Sequence, residues 1–504
     1  MPGRRDTHIL FTLTVIVGCL GGVAAVGFHQ SIDFLNDYLL DPILGRPLLQ
    51  RVVFVPLLLV VVGLVVGVLL DRVVPFALGS GIPEVKTAYL FGPGPRLSLR
   101  TVLGKFALGA LSIGSGFSLG REGPTVQICA AIGAAVGKVA RQPTRIVKAL
   151  ISVGAAAGIA AAFNTPIAAI TFAMEEVIGD LNQRLVGAIV VASVAAAVVE
   201  RAMLGGRPSL LVPTYSLGDW RDLFAYALMG ALAGLVATVF VRGLLELRRV
   251  VRDHVRLPVW ARPAVGGLMM AAIGLALPQT FGIGYPTLSA ALLGQLSWRR
   301  MTVLCVGKIA ATVTSYGWGL SGGIFSPTLF MGAMLGGAVA HLVHPIAGPM
   351  PETVGSFALV GMGALFAGAI RAPITSILII FEMTGDYAII LPLMISNIIS
   401  YTVAARLQPV PIYDALLRQD GVVMPEHQTQ RDLRAMTVEQ AMRTVPATDR
   451  TGVDVVFADQ SLDLALLELG RRSIREAAVV SRDNPSQLIG TLSLEDIAAA
   501  ISRQ

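Results

Sequence analysis

Four glycine- and proline-broken stretches, placed at matching positions in two halves of an apolar chain, restrict this sequence more than any other feature. Gly79-Ser80-Gly81-Ile82-Pro83 lies 41 residues before Gly120-Arg121-Glu122-Gly123-Pro124, and Gly282-Ile283-Gly284-Tyr285-Pro286 lies 41 residues before Gly323-Ile324-Phe325-Ser326-Pro327. The two pairs are offset by 203 residues. Pro166-Ile167, Ile170 and Glu175 recur at the same internal spacing as Pro373-Ile374, Ile377 and Glu382. This is an internal duplication. Interrupted apolar segments at corresponding positions of two halves point to a transporter's binding site.

Glu122 is the first candidate functional residue. A carboxylate at membrane depth costs a few kcal/mol and persists beside water, an ion path or a partner. Proline in the first turn of a helix sacrifices no hydrogen bond, and flanking glycines allow close backbone approach. The free amides of such a helix start carry partial positive charge and suit anions. A carboxylate placed there can occupy an anion site itself and leave it when protonated.

With 54% hydrophobic and 14% charged residues, against about 25% charged in soluble domains, the chain reads as an integral, multi-pass membrane protein. Its 54 glycines suit close helix packing and broken helices, and 6% aromatic residues argue against an aromatic-girdled barrel. The membrane part is therefore all-helical. The net charge of +7 comes mostly from arginines in short loops and the polar tail. Positive-inside bias accounts for them without nucleic acid. Cys19, Cys129 and Cys305 are far apart and form neither a disulfide framework nor a zinc pattern.

Arg4 and Arg5 precede the apolar run Ile9–Phe28, which is too long for an ordinary signal-peptide core and reads as a first span with a cytoplasmic N-terminus. Further spans are expected at Val52–Leu70, Val102–Leu119, Ala149–Val177 with a break at Asn164-Thr165-Pro166, Leu185–Met203, Tyr226–Leu247, Phe357–Phe381 and Ala388–Ala405. Lys105 either supplies positive potential to an anion path or snorkels to the interface. Glu175 has a repeat counterpart, Glu382, which suggests a structural, capping or pairing role. Glu176 has none and is the better candidate for a proton site. Arg248, Arg249, Arg252, Arg256 and Arg262 mark a cytoplasmic connector between the halves. Tyr413 follows the last span, where an interfacial tyrosine is the plain alternative.

The expected division is a membrane domain over 1–427, with halves at about 9–247 and 260–425, and a small soluble α/β module over 428–504. In the module, Thr437 to Gln440 reads as a capping box. Ser461 opens an amphipathic helix carrying Leu462, Ala465, Leu466 and Leu469; Ala478–Val480 and Leu488–Leu492 read as strands, and Leu494–Ile501 as a closing helix.

Gly79 to Glu84 (G-S-G-I-P-E), Gly120 to Pro124 (G-R-E-G-P), Gly323 to Pro327 (G-I-F-S-P) and the following Tyr413 together resemble the CLC family of chloride channels and proton-coupled chloride transporters. The resemblance implies two inverted-topology repeats whose broken helices aim their N-termini at a chloride site near the bilayer midplane. It also implies a homodimer, in a bacterial-type inner (plasma) membrane with both termini cytoplasmic. Ser80 and Tyr413 would donate hydroxyls to chloride, and the amides of Ile324 and Phe325 would complete its cradle. Glu122 resembles the external gating glutamate and Glu176 the internal proton glutamate of the exchangers. Chloride and protons are thus the expected transported ions, with no resident cofactor. The tail resembles one CBS motif, ending in Gly490-Thr491-x-Ser493-x-x-Asp496, where Ser493 and Asp496 are candidates for adenine-nucleotide binding.

Two other functions fit less of the sequence. A passive, voltage- or pH-gated chloride channel would use Glu122 as its gate and move no protons. An intramembrane serine protease would use Ser321 in Gly319-Leu320-Ser321-Gly322 with His341 or His344, but leaves the duplication unexplained. Two ring nitrogens without nearby carboxylates or cysteines do not close a zinc shell, so no metal is expected at the histidine pair.

Overall fold

The computed structural model describes residues 4–179, 183–205, 222–347, 352–422, 436–449, 455–472, 474–482, 484 and 487–502. The chain divides into two compact units, Met1–Gly421 and Val422–Gln504; the expected break at Gln428 lies outside the described residues. Among the described residues, eight helices are long and apolar enough to cross a membrane. Large apolar side chains such as Leu49, Val61, Val306 and Leu342 point outward from them, as lipid-facing residues do. The protein is an integral, multi-pass membrane protein.

The duplication is visible element by element. Short helices Ile82–Phe91 and Tyr285–Leu292 begin 203 residues apart, as do Glu122–Val139 and Phe325–Ala347. In both halves a long helix gives way to a shorter one that starts on proline, Thr144–Phe163 before Pro166–Phe172 and Glu352–Ile370 before Pro373–Thr384. The breaks have local causes. Asn164 and Arg371 take left-handed conformations, and the proline two residues later opens the next helix at no hydrogen-bond cost. The expected span Phe357–Phe381 is therefore two helices. The expected span Val102–Leu119 likewise ends as helix Leu99–Gly114, because Gly116 turns to φ +109° and takes the chain out of the helix before Glu122.

A two-fold relation ties the halves together. Gly120 and Gly323, equivalent residues, exchange both backbone hydrogen bonds at 2.7 Å in an antiparallel pair, as a two-fold axis between them requires. The same symmetry governs the helix caps. Glu175 accepts from the amides of Ile374 (3.2 Å) and Thr375 (2.7 Å), while Glu382 accepts from Ile167 (3.0 Å) and Ala168 (2.7 Å). Each carboxylate thus neutralises the positive start of the other half's helix. This arrangement gives Glu175 the capping role its repetition suggested. Replacing either acid leaves a helix start without its acceptor, so Glu175→Ala and Glu382→Ala should each cost about 1–3 kcal/mol. Unchanged thermal unfolding of both variants in detergent would contradict this.

The second unit contains a four-stranded sheet. Strands β1 (Arg443–Asp449), β2 (Val455–Phe457), β3 (Glu476–Val480) and β4 (Gln487–Ser493) lie in the order β1-β4-β3-β2. The helix Leu462–Arg472 makes the crossover between parallel β2 and β3 and buries Leu462, Ala465 and Leu469. The Thr437/Gln440 capping box is present. The sequence pattern marks β3 and β4 but not β1, whose Pro446 argues against a strand. Proline is tolerated because β1 is an edge strand with a register shift between Thr444 and Thr448.

Candidate functional site

The site forms where the interrupted loops of both halves meet. Gly81 adopts φ +93°, a conformation glycine takes without penalty, so that the chain can turn sharply from Ser80 into the helix Ile82–Phe91. This turn directs amides to one side and carbonyls to the other. Lys105, fully buried, donates to the carbonyl oxygens of Ala77 (3.1 Å) and Gly79. Lys308, equally buried, does the same for Thr280 (3.1 Å) and Gly282 (2.6 Å). The two lysines are equivalent in the duplication. Each satisfies the carbonyls of an interrupted loop. The snorkelling alternative for Lys105 is therefore corrected: its ammonium is held inside by a carbonyl cage.

Glu122 opens the helix Glu122–Val139 and is fully buried. Its carboxylate accepts from the backbone amide of Ser326 at 3.2 Å and from the Ser326 hydroxyl, with the Tyr285 hydroxyl at 3.5 Å. These donors belong to the opposite half. Ser326 lies in the first turn of the helix Phe325–Ala347, where amides have no intrahelical acceptor. The side chain of Glu122 thus occupies an anion position at a helix start. Above it the guanidinium of Arg121 stacks on the Tyr285 ring, 5.1 Å from the centroid.

Ser80 and Tyr413 are buried side by side. The Oγ of Ser80 and the hydroxyl of Tyr413 lie within reach of each other, and neither has another partner among the described residues. Two facing buried hydroxyls with donor capacity to spare fit an anion. Gly123 makes the approach to Ser80 possible: a Cβ there would meet Ser80 Oγ at 2.3 Å. Gly323 in turn packs on Gly123, within 3.2 Å of its amide nitrogen for an added Cβ, so the buried Ile324 and Phe325 follow directly from the same junction.

Glu176 and Glu122 both act electrostatically on the Tyr413 phenol. Glu176 sits in a π-helical turn, Ala173–Ile178, a local irregularity often found at functional sites. Its carboxylate receives a hydrogen bond from Lys86 at 2.8 Å, and the same ammonium donates to Asp414 at 2.7 Å. The duplicated motifs contain Tyr285 and Ser326 without marking a role for either, and Lys86, Asp414 and Lys308 lie outside them. A signal exists for two of them. Lys308 repeats Lys105 at the 203-residue offset, and a lysine inside a buried helix such as Ile82–Phe91 demands a counter-charge.

Other candidate residues take structural positions. Ser321 is buried and donates to the Ala77 carbonyl at 2.7 Å, and Nδ1 of His341 is paired with the Gly337 carbonyl. The Ser321 hydroxyl is spent on backbone, which corrects its reading as a protease nucleophile. The side chain of His344 lies outside the described residues. In the second unit Ser493 caps the helix Leu494–Ser502: its hydroxyl donates to Asp496 at 2.6 Å and accepts from the Asp496 amide. Asp496 also receives Arg443 Nε at 2.6 Å.

Comparison with known proteins places the whole chain. The family model described as voltage gated chloride channel matches residues 62–405. The chain belongs to this chloride channel family, the CLC family. A ClcB-like chloride channel protein of Ralstonia nicotianae is 33% identical over 429 residues, 82% of this chain and 99% of the relative. The CLC protein of Vibrio vulnificus named H(+)/Cl(-) exchange transporter ClcA is 32% identical, covering 83% of this chain and 91% of its own length. The solved structure of a slow cyanobacterial Cl-/H+ antiporter superposes with a TM-score of 0.73 at 29% identity, covering 82% of this chain and 97% of that one.

Proposed function

We propose that this chain is a chloride/proton exchanger, and the observation that carries the proposal is the Glu122 carboxylate seated on the Ser326 amide. An ionised carboxylate there competes with chloride for the same donors. Protonation removes its charge, frees the helix start and admits the anion. Chloride would exchange its hydration shell for the hydroxyls of Ser80 and Tyr413 and the amides of Ile324 and Phe325, which supply donors without a full buried cation at the ion. Glu176 would pass protons from the inner side, with Tyr413 between the two acids. The names of the Vibrio relative and of the cyanobacterial structure support exchange.

The second reading, a passive chloride channel gated by Glu122, is favoured by the name of the Ralstonia relative. One measurement separates the two. In proteoliposomes with an outward chloride gradient, no proton gradient and the voltage clamped at zero, the exchanger pumps protons inward. That pumping should disappear in Glu176→Gln while chloride flux continues. Chloride flux without proton movement in the unmodified protein would leave the channel.

We further infer a homodimer with one anion path per subunit, an inner-membrane location with both termini cytoplasmic, and a CBS-like C-terminal module. The Gly490-Thr491-x-Ser493-x-x-Asp496 end and the βαβ crossover support the last. Adenine nucleotide is its candidate ligand, and binding through Asp496 would compete with Arg443.

A further inference from the structure

Lys86 is a buried cation bound directly to the candidate proton acid, and it binds a second acid as well. Glu176 and Lys86 are each about 5% exposed, whereas the Asp414 side chain is 21% exposed. The three groups come from separate elements: the helix Ile82–Phe91, the π-helical turn Ala173–Ile178 and the helix Ile412–Gln419. Tyr413 and Asp414 are neighbours on that last helix, so one turn presents a phenol beside Ser80 and a carboxylate to Lys86.

Charge balance limits what this cluster can do. With both acids ionised it carries one net negative charge in a buried place, which is costly. One added proton makes it neutral, and a second would leave the ammonium unpaired. The cluster therefore favours holding a single exchangeable proton. Two carboxylate oxygens bound to the same nitrogen at 2.8 and 2.7 Å are within the span of one bridging water. The more exposed acid, Asp414, is the end that meets solvent.

We infer that Lys86, Glu176 and Asp414 together form a one-proton loading station, in which Asp414 is the water-side port and Lys86 the positioning residue. This rests on the exchange reading above. A proton taken by Asp414 breaks away from that carboxyl and forms an O–H bond on Glu176. The ammonium keeps its three hydrogens and shifts its stronger hydrogen bond from Glu176 to the newly ionised Asp414. One proton moves, and the net charge of the station is unchanged.

The charged and titratable neighbours of Glu176 set the sign of each variant's effect. They are Lys86, Asp414, Glu175 on the same turn and the Tyr413 phenol. On the helix Thr144–Phe163, which packs on the same turn, Lys148 is turned to the Leu90 carbonyl instead. Removing the Asp414 charge leaves a neutral Lys86–Glu176 pair, so Glu176 accepts a proton only at lower pH. Removing the Lys86 charge leaves two facing acids, so the shared proton is kept to higher pH.

The test is proton and chloride flux in proteoliposomes as a function of the pH on the inner side, for the full chain and for Glu176→Gln, Asp414→Asn, Asp414→Glu and Lys86→Met. Asp414→Asn should keep chloride flux, lose most of its proton flux, and shift its half-maximal pH about one unit to acid. Lys86→Met should shift it the opposite way, and Asp414→Glu should retain coupling. A full chain that moves no protons removes the exchange reading and this inference with it. If the full chain pumps and Glu176→Gln does not, then a wild-type pH profile in Asp414→Asn, or shifts of the same sign in both variants, overturns the station alone. Loss of chloride flux in both Asp414 variants also overturns it, because Asp414 would then be a packing residue.

Discussion

Alanine in place of Glu122 should abolish proton movement while chloride continues to flow. In the structure the carboxylate holds the Ser326 amide and hydroxyl, the donors at a helix start that would otherwise meet an anion. Truncation at Cβ leaves those donors facing the path, and chloride can take them without competition. Nothing remains at that position to carry a proton. The expected result in proteoliposomes is a chloride flux that has lost the pH dependence of the unmodified protein. Proton uptake should fall to the leak of protein-free vesicles. Persistent proton pumping in Glu122→Ala would show that another group carries the external proton, and the competition mechanism would be lost.

Alanine at Gly123 should disable transport by a different route. Its methyl group would lie 2.3 Å from Ser80 Oγ and 2.6 Å from the Ser80 carbonyl oxygen, closer than real contacts allow. Either the loop carrying Ser80 or the start of the helix Glu122–Val139 must move. Neither is free to do so, because Gly79 is tied to Leu320 and Gly322, and Gly120 to Gly323. A displacement of about 1 Å at a positioned site can reduce turnover about 100-fold, and both chloride and proton fluxes should fall together by that order. Anion binding measured by calorimetry should weaken in parallel. A Gly123→Ala protein with normal chloride affinity and flux would mean that Ser80 does not line the anion position.

The contrast between these two variants shows how the site is divided. Glu122 carries chemistry, and its loss uncouples two ions. Gly123 carries only space, and its gain of a methyl group stops both.

Much of this division is legible in the amino-acid sequence. Glycines and prolines at the starts of short apolar segments specify where helices begin, since they act on φ and on the backbone donor of their own residue. The recurrence of those starts announces two halves, and the isolated acid at Glu122 announces an anion site that can be occupied from within. The repeat also separates Glu175, a cap shared with Glu382, from Glu176, which has no counterpart. The extent of the spans is less legible. Val102–Leu119 and Phe357–Phe381 are not continuous in structure: Gly116 redirects the backbone without altering the apolar pattern, and in the second run the break falls at Arg371 and Pro373, short interruptions within a long apolar stretch.

The set of elements, their duplication and the local polarity of each helix start are thus written in the chain. Those properties depend on residues a few positions apart. Which partner each element meets is set by the packed fold. The pairing of Gly120 with Gly323, the seating of Glu122 on Ser326 and the sharing of Lys86 by Glu176 and Asp414 join residues separated by 90 to 328 positions. Such contacts arise from tertiary packing, within the first half for Lys86 and Glu176 and between the two halves for the others. A buried lysine signals that it needs an acid, but among several acids in the chain only the packed geometry selects the two within hydrogen-bond reach.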